Sequence, residues 1–211
     1  MTRPSQPEPS AVVAATAMFV EVLVVGIGFL TALAILAAAI AGPDNSRRLA
    51  PVASTPLAAG AALAFAYALG ILIDRAADTA LTLARRRLRA QSFPSSTAYA
   101  QARLKLAEIP ALTARADYAR SRLRICRGWV LNSILLTVAI DLALGRYSVE
   151  HRPLLLATAT ILGVLATVGF YLSWHTITAT GYRKLAAQTT TTATQTVPSQ
   201  PPAPAPAPQI P

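Results

Sequence analysis

Residues 74–128 read DRAADTALTLARRRLRAQSFPSSTAYAQARLKLAEIPALTARADYARSRLRICRG, and this stretch decides how the rest of the chain is read. It holds twelve of the nineteen Lys and Arg residues against four acids, Asp74, Asp78, Glu108 and Asp117. The segment therefore carries +8 of the formal +10. Two long apolar runs lie on each side of it. If those runs cross a bilayer, a basic segment between them fixes the orientation, because Lys and Arg are retained on the cytoplasmic side.

Composition supports a membrane setting. Hydrophobic residues make up 54% and charged residues 13%, against about 25% charged in a soluble domain. The runs are apolar all round instead of striped, which argues against a soluble helical core. Several approach the ~20 residues that span a bilayer as a helix. The expected fold class is an all-α integral membrane protein. It has four transmembrane helices, with a basic helical cytoplasmic segment between the second and third.

Working back from residue 74, residues 11–73 are expected to hold spans at about 20–41 and 54–73, and residues 1–10, with Pro4, Pro7 and Pro9, a disordered start. Glu21 is the acid within the first run. It is interfacial, with Arg75 or Arg127 as candidate inner-face partners, if the span begins at Val22, and intramembrane and in need of a partner if it begins nearer Ala11. Ala39-Ile40-Ala41 offers a second reading of this run, as the cleavage site of a signal peptide. Gly42 to Pro56 is rich in turn formers and reads as a loop. In the second span two small-residue stripes, Gly60-Ala64-Ala68 and Ala62-Ala66-Gly70, each recur every four residues, a spacing that allows close helix packing in lipid.

Inside residues 74–128, Ile73, Ala77, Ala80, Ala84 and Leu88 continue the second span's helix. Ser92 to Ser96 breaks it, and Ser96 or Thr97 is expected to cap a short helix ending near Glu108. Pro110 suits the first turn of a helix that runs on into the third span.

Beyond it, residues 129–176 are expected to hold spans at about 127–144 and 153–175, and residues 177–211 a disordered Thr- and Pro-rich cytoplasmic tail. Counted at the span ends, fifteen basic residues fall on the side of the central segment and four on the other (Arg47, Arg48, Arg146 and Arg152). Both termini are therefore expected in the cytoplasm of a multi-pass cell-membrane protein.

No metalloprotease, nucleophile-elbow, phosphate-loop or dinucleotide signature is present. No catalytic, cofactor or metal residues are assigned, and a non-enzymatic role is expected. The single Cys126 has no second cysteine to pair with in the chain.

Two constellations stand out. Arg85, Arg86, Arg87 and Arg89 are candidate contacts for anionic lipid or an acidic protein partner. Each charge near such a surface is worth on the order of 1 kcal/mol. If the helix projected straight inward, it would carry them ~18–24 Å away, beyond the ~8 Å Debye length. Lipid contact therefore requires the helix to lie along the membrane. Basic charge placed beside membrane spans disfavours nucleic acid as the partner. The second constellation is Ser133, Thr137 and Asp141, which share one face of the third span and are candidates for lining a polar pathway. Asp141 paired with Arg146 is the simpler reading.

The expected function is a membrane-anchored interaction or regulatory protein that self-associates. An oligomeric channel or small transporter is the alternative.

Overall fold

The computed structural model describes residues 9–107 and 110–195. Every regular element among them is an α-helix: α1 (Pro9–Ala41), α2 (Pro43–Ala53), α3 (Pro56–Ala80), α4 (Thr82–Ser92), α5 (Ser96–Ala107), α6 (Pro110–Arg146) and α7 (Arg152–Gln195). Four stretches are long and apolar enough to cross a membrane: Ala15–Ala41, Pro56–Ala80, Arg120–Arg146 and Arg152–Gln188. They suggest a multi-pass membrane protein.

The four long helices pack in the spatial order α3, α1, α6, α7, with α3 also reaching α6. α1 and α6 run parallel, and α3 and α7 run against them. The start of α6, the end of α3 and the end of α7 therefore meet at one end, where α4 and α5 also sit. The short connections 42–55 and 147–151 lie at the other.

Small residues set the α1–α3 crossing. A Cβ added at Gly26 would overlap the Ala66 carbonyl, and one at Gly70 would overlap that of Val22. In a bilayer, where lipid is as apolar as the helices, close backbone approach is what holds such a pair together. Of the two predicted stripes, Ala66 and Gly70 of the second are buried here, while Gly60, Ala64 and Ala68 face outward. α6 and α7 interlock in the same manner, with Thr137 seated against Gly163. Between α1 and α6, fully buried Asn132 donates from Nδ2 to the Val25 carbonyl at 2.7 Å.

Several boundaries differ from the sequence reading. The expected loop at 42–56 contains α2. Gly42, at φ +83°, ends α1 in the left-handed conformation that glycine tolerates. Pro43 then opens α2 at a position where its missing N–H costs nothing. Asn45 Nδ2 and Ser46 Oγ donate back to the carbonyls of Ala41 and Gly42 at 3.0 and 2.8 Å, fixing the corner. The helix of the second span stops at Ala80 and restarts at Thr82. Flanking the break, Thr79 and Thr82 donate back to the carbonyls of Arg75 and Asp78, a bond that bends helices. α5 is capped by Ser95, not by Ser96 or Thr97: its Oγ accepts from Ala98 N at 3.0 Å. α7 continues twenty residues past the expected span end at 175. Residues 1–8 and 196–211, where the remainder of the expected disordered termini falls, lie outside the described residues.

Candidate functional site

The end of the bundle that carries α4 and α5 holds the candidate site. Its frame is ionic. Arg127 of α6 reaches across to α3, with Nη2 donating to Asp74 Oδ1 and Nη1 to Asp78 Oδ1. Arg85 of α4 donates to the same Asp78 oxygen at 2.7 Å. Asp74 and Asp78 are one turn apart on α3, so a single guanidinium can bridge both. Two cations are thus neutralised by two acids, tying α3, α4 and α6 together.

Tyr99 and Tyr182 form the opposite wall, with Phe93 packed behind them. Phe93, after α4, packs edge-on to Tyr99 of α5 with centroids 5.3 Å apart, and Tyr99 packs edge-on to Tyr182 of α7 at 5.7 Å. The Arg89 guanidinium lies 5.4 Å from the Tyr99 ring centroid, within the range of a cation–π contact. This cluster docks α4 and α5 onto the extension of α7. It also gives α7 a reason to stay helical beyond the predicted end of its span.

Between the frame and the rings is a cavity of about 590 Å³. Among the described residues, seven cationic side chains line it against two acids, Asp74 and Asp78. Arg85 and Arg127 are occupied by those acids. Arg75, Arg103, Arg124 and Lys184 have no carboxylate partner among the described residues. The walls also carry apolar groups, including Leu81, Leu123, Trp174 and Ile177. Thr178, only 7% exposed, lines the same space, and its hydroxyl lacks a partner, as does the buried Arg127 Nε.

The predicted arginine cluster is therefore divided. Arg85 lines the cavity and pairs with Asp78, Arg89 covers a ring, and Arg86 and Arg87 are exposed on the outer face of α4. Cavity residues Arg103, Thr178 and Tyr182 were not singled out from sequence, and Arg127 was named only as a candidate partner of Glu21. For Arg127 a signal existed in the acids at positions 74 and 78. The juxtaposition of Tyr99 with Tyr182 crosses 83 positions and leaves no local trace.

The other candidates lie elsewhere. Glu21 does not pair with Arg75 or Arg127; it is buried between α1 and α6 and accepts from Ser121 Oγ, with Oε2 unpartnered. Ser133 and Thr137 donate to backbone carbonyls of their own helix at 2.6 and 2.7 Å. Asp141 accepts from Thr160 Oγ1 at 2.9 Å in place of Arg146. An apolar groove between α6 and α7, lined by Leu136, Ile140 and Phe170, includes Ser133 and Thr137. Cys126 is a half-buried free thiol, and among the described residues no three His, Cys, Asp or Glu side chains cluster as metal ligands. No protein-family model, curated protein or solved structure matches the chain.

Proposed function

We propose that this chain is a non-enzymatic, self-associating membrane protein whose folded basic end contacts anionic lipid headgroups on the cytoplasmic face. One observation carries this reading: the basic segment is a docked helical cap, with Arg86 and Arg87 presented on its outer face beside the ends of the apolar helices. Packing of α4 against α7 holds these charges in one place instead of leaving them on a freely projecting helix. Lipid contact requires that they lie within a Debye length of the headgroups. The charge asymmetry between the two ends supports a cytoplasmic placement of the cap. An acidic protein partner is the competing target for the same arginines.

The test is lipid selectivity in reconstituted bilayers containing the full chain. Spin-labelled phosphatidylserine is expected to associate more strongly than spin-labelled phosphatidylcholine. The preference should shrink as salt rises and fall in the Arg86→Gln/Arg87→Gln variant. Equal association of the two lipids overturns the reading and leaves the acidic protein as the target.

The alternative of an oligomeric channel draws support from one atom, Asp141 Oδ1, which is buried without a hydrogen-bond partner. The proposed function predicts electrically silent proteoliposomes. A cation current that is reduced by Asp141→Asn would replace it.

A further inference from the structure

The surface arginines explain attraction to a charged membrane, but they do not explain a cavity. The space bordered by α3–α7 is too large for a counter-ion, and the four cations without acid partners exceed what one negative charge would neutralise. Its polar edge and its apolar wall of Leu123, Trp174 and Ile177 lie where the apolar parts of α6 and α7 pass into the basic cap. Two polar groups inside, Thr178 Oγ1 and Arg127 Nε, are buried with no acceptor or donor supplied by the described residues. A buried polar group without a partner is costly, and a bound ligand is one way of satisfying it.

We infer that this cavity binds a multiply phosphorylated headgroup. Guanidinium groups grip phosphate oxygens in pairs of parallel hydrogen bonds, and several arginines converging on one space suit a ligand with more than one phosphate. Arg127, held on the far side by Asp74 and Asp78, keeps a fixed face toward the ligand, and its Nε and the Thr178 hydroxyl supply hydrogen bonds. The apolar wall at the helix ends favours a lipid-borne headgroup over a soluble phosphate compound, with the acyl chains passing out beside α7. This inference deepens the proposed function and rests on its placement of the cap at a membrane.

The test uses the full chain in nanodiscs of phosphatidylcholine. These contain either cardiolipin, which carries two phosphates, or phosphatidylserine at matched total charge, and bound lipid is read by native mass spectrometry. The full chain is expected to retain cardiolipin in preference to phosphatidylserine. The Arg75→Gln/Arg103→Gln/Lys184→Gln variant should lose at least about tenfold in cardiolipin retention. The Arg86→Gln/Arg87→Gln variant should keep the cardiolipin preference while losing general anionic selectivity.

All three cavity positions are exposed, and substitutions at such positions disturb folding little. Arg103→Gln alone provides a second variant, with a smaller loss expected. Retention unchanged in the triple variant overturns the site, and so does equal retention of the two lipids. Neither result touches the proposed function, which is tested separately by phosphatidylserine selectivity and by conductance. Pyrophosphate that displaces cardiolipin, or binds equally well in lipid-free detergent, overturns the lipid source and assigns the cavity to a soluble phosphate.

Discussion

Arg127 shows most clearly how one side chain changes what its neighbours mean. Without it, Asp74 and Asp78 would be two acids a turn apart, repelling each other near the end of an apolar helix. With it, they become the anchor that joins α3 to α6. Arg127→Gln should leave both carboxylates only partly hydrated and without a charge partner except Arg85. Hydrogen bonds to charged groups are worth about 1.5–3 kcal/mol, so a loss of stability on the order of 2 kcal/mol is expected, read as a lower thermal midpoint in detergent. Arg127→Lys should recover part of it, since an ammonium keeps the charge but loses the planar fork. The total of basic residues was legible in the sequence. Their division was not, because consecutive residues on a helix point about 100° apart and only the packing says which direction is occupied. Arg85 and Arg86 are adjacent in the chain, yet one is spent on an acid and the other is exposed.

At the scale of elements, the apolar helices were legible because their cores are long, uninterrupted and bounded by Pro, Gly or arginine. Helix α2 was not, since Pro43, Asp44, Asn45 and Pro51 all read as turn formers. Pro43 falls at the first helical position, and the polar side chains of Asn45 and Ser46 fold back on the end of α1. The extension of α7 was hidden for a different reason: its Thr tract has no apolar period, and the contacts made by Tyr182 lie with α4 and α5. The small-residue stripes were visible as a pair, but only the structure separates them. Gly26→Leu or Gly70→Leu should force α1 from α3 and destabilise the chain by about 1–3 kcal/mol or more, the range for overpacking a tight contact. Gly60→Leu should leave the monomer's melting unchanged, since a Cβ there meets open space. If the outward stripe is where a second copy packs, Gly60→Leu should instead reduce cross-linked dimer in bilayers.

At the scale of the whole molecule, charge is sorted along the long axis, with most basic residues at the capped end and a few at the other. The proposed orientation makes Cys126, near the capped end of α6, inaccessible from outside. An impermeant maleimide added to intact cells should leave it unlabelled, whereas inside-out vesicles should react, slowly because the thiol is half-buried. Labelling of intact cells would reverse the topology. α7 is a single rod of 44 residues, about 66 Å long at 1.5 Å per residue. Among the described residues it touches only α6 inside the bundle, while its far part is gripped by α4 and α5. The Gly163–Thr137 contact is then a fulcrum, and Tyr182 lies about 28 Å along the arm from it. A tilt of about 10° around that point would move the ring by about 5 Å, comparable with its distance from Tyr99, and so open or shut the wall of the cavity. Under the proposed membrane placement, lateral force on α7 would thus reach the basic end as a displacement, with the short arm of the lever in lipid.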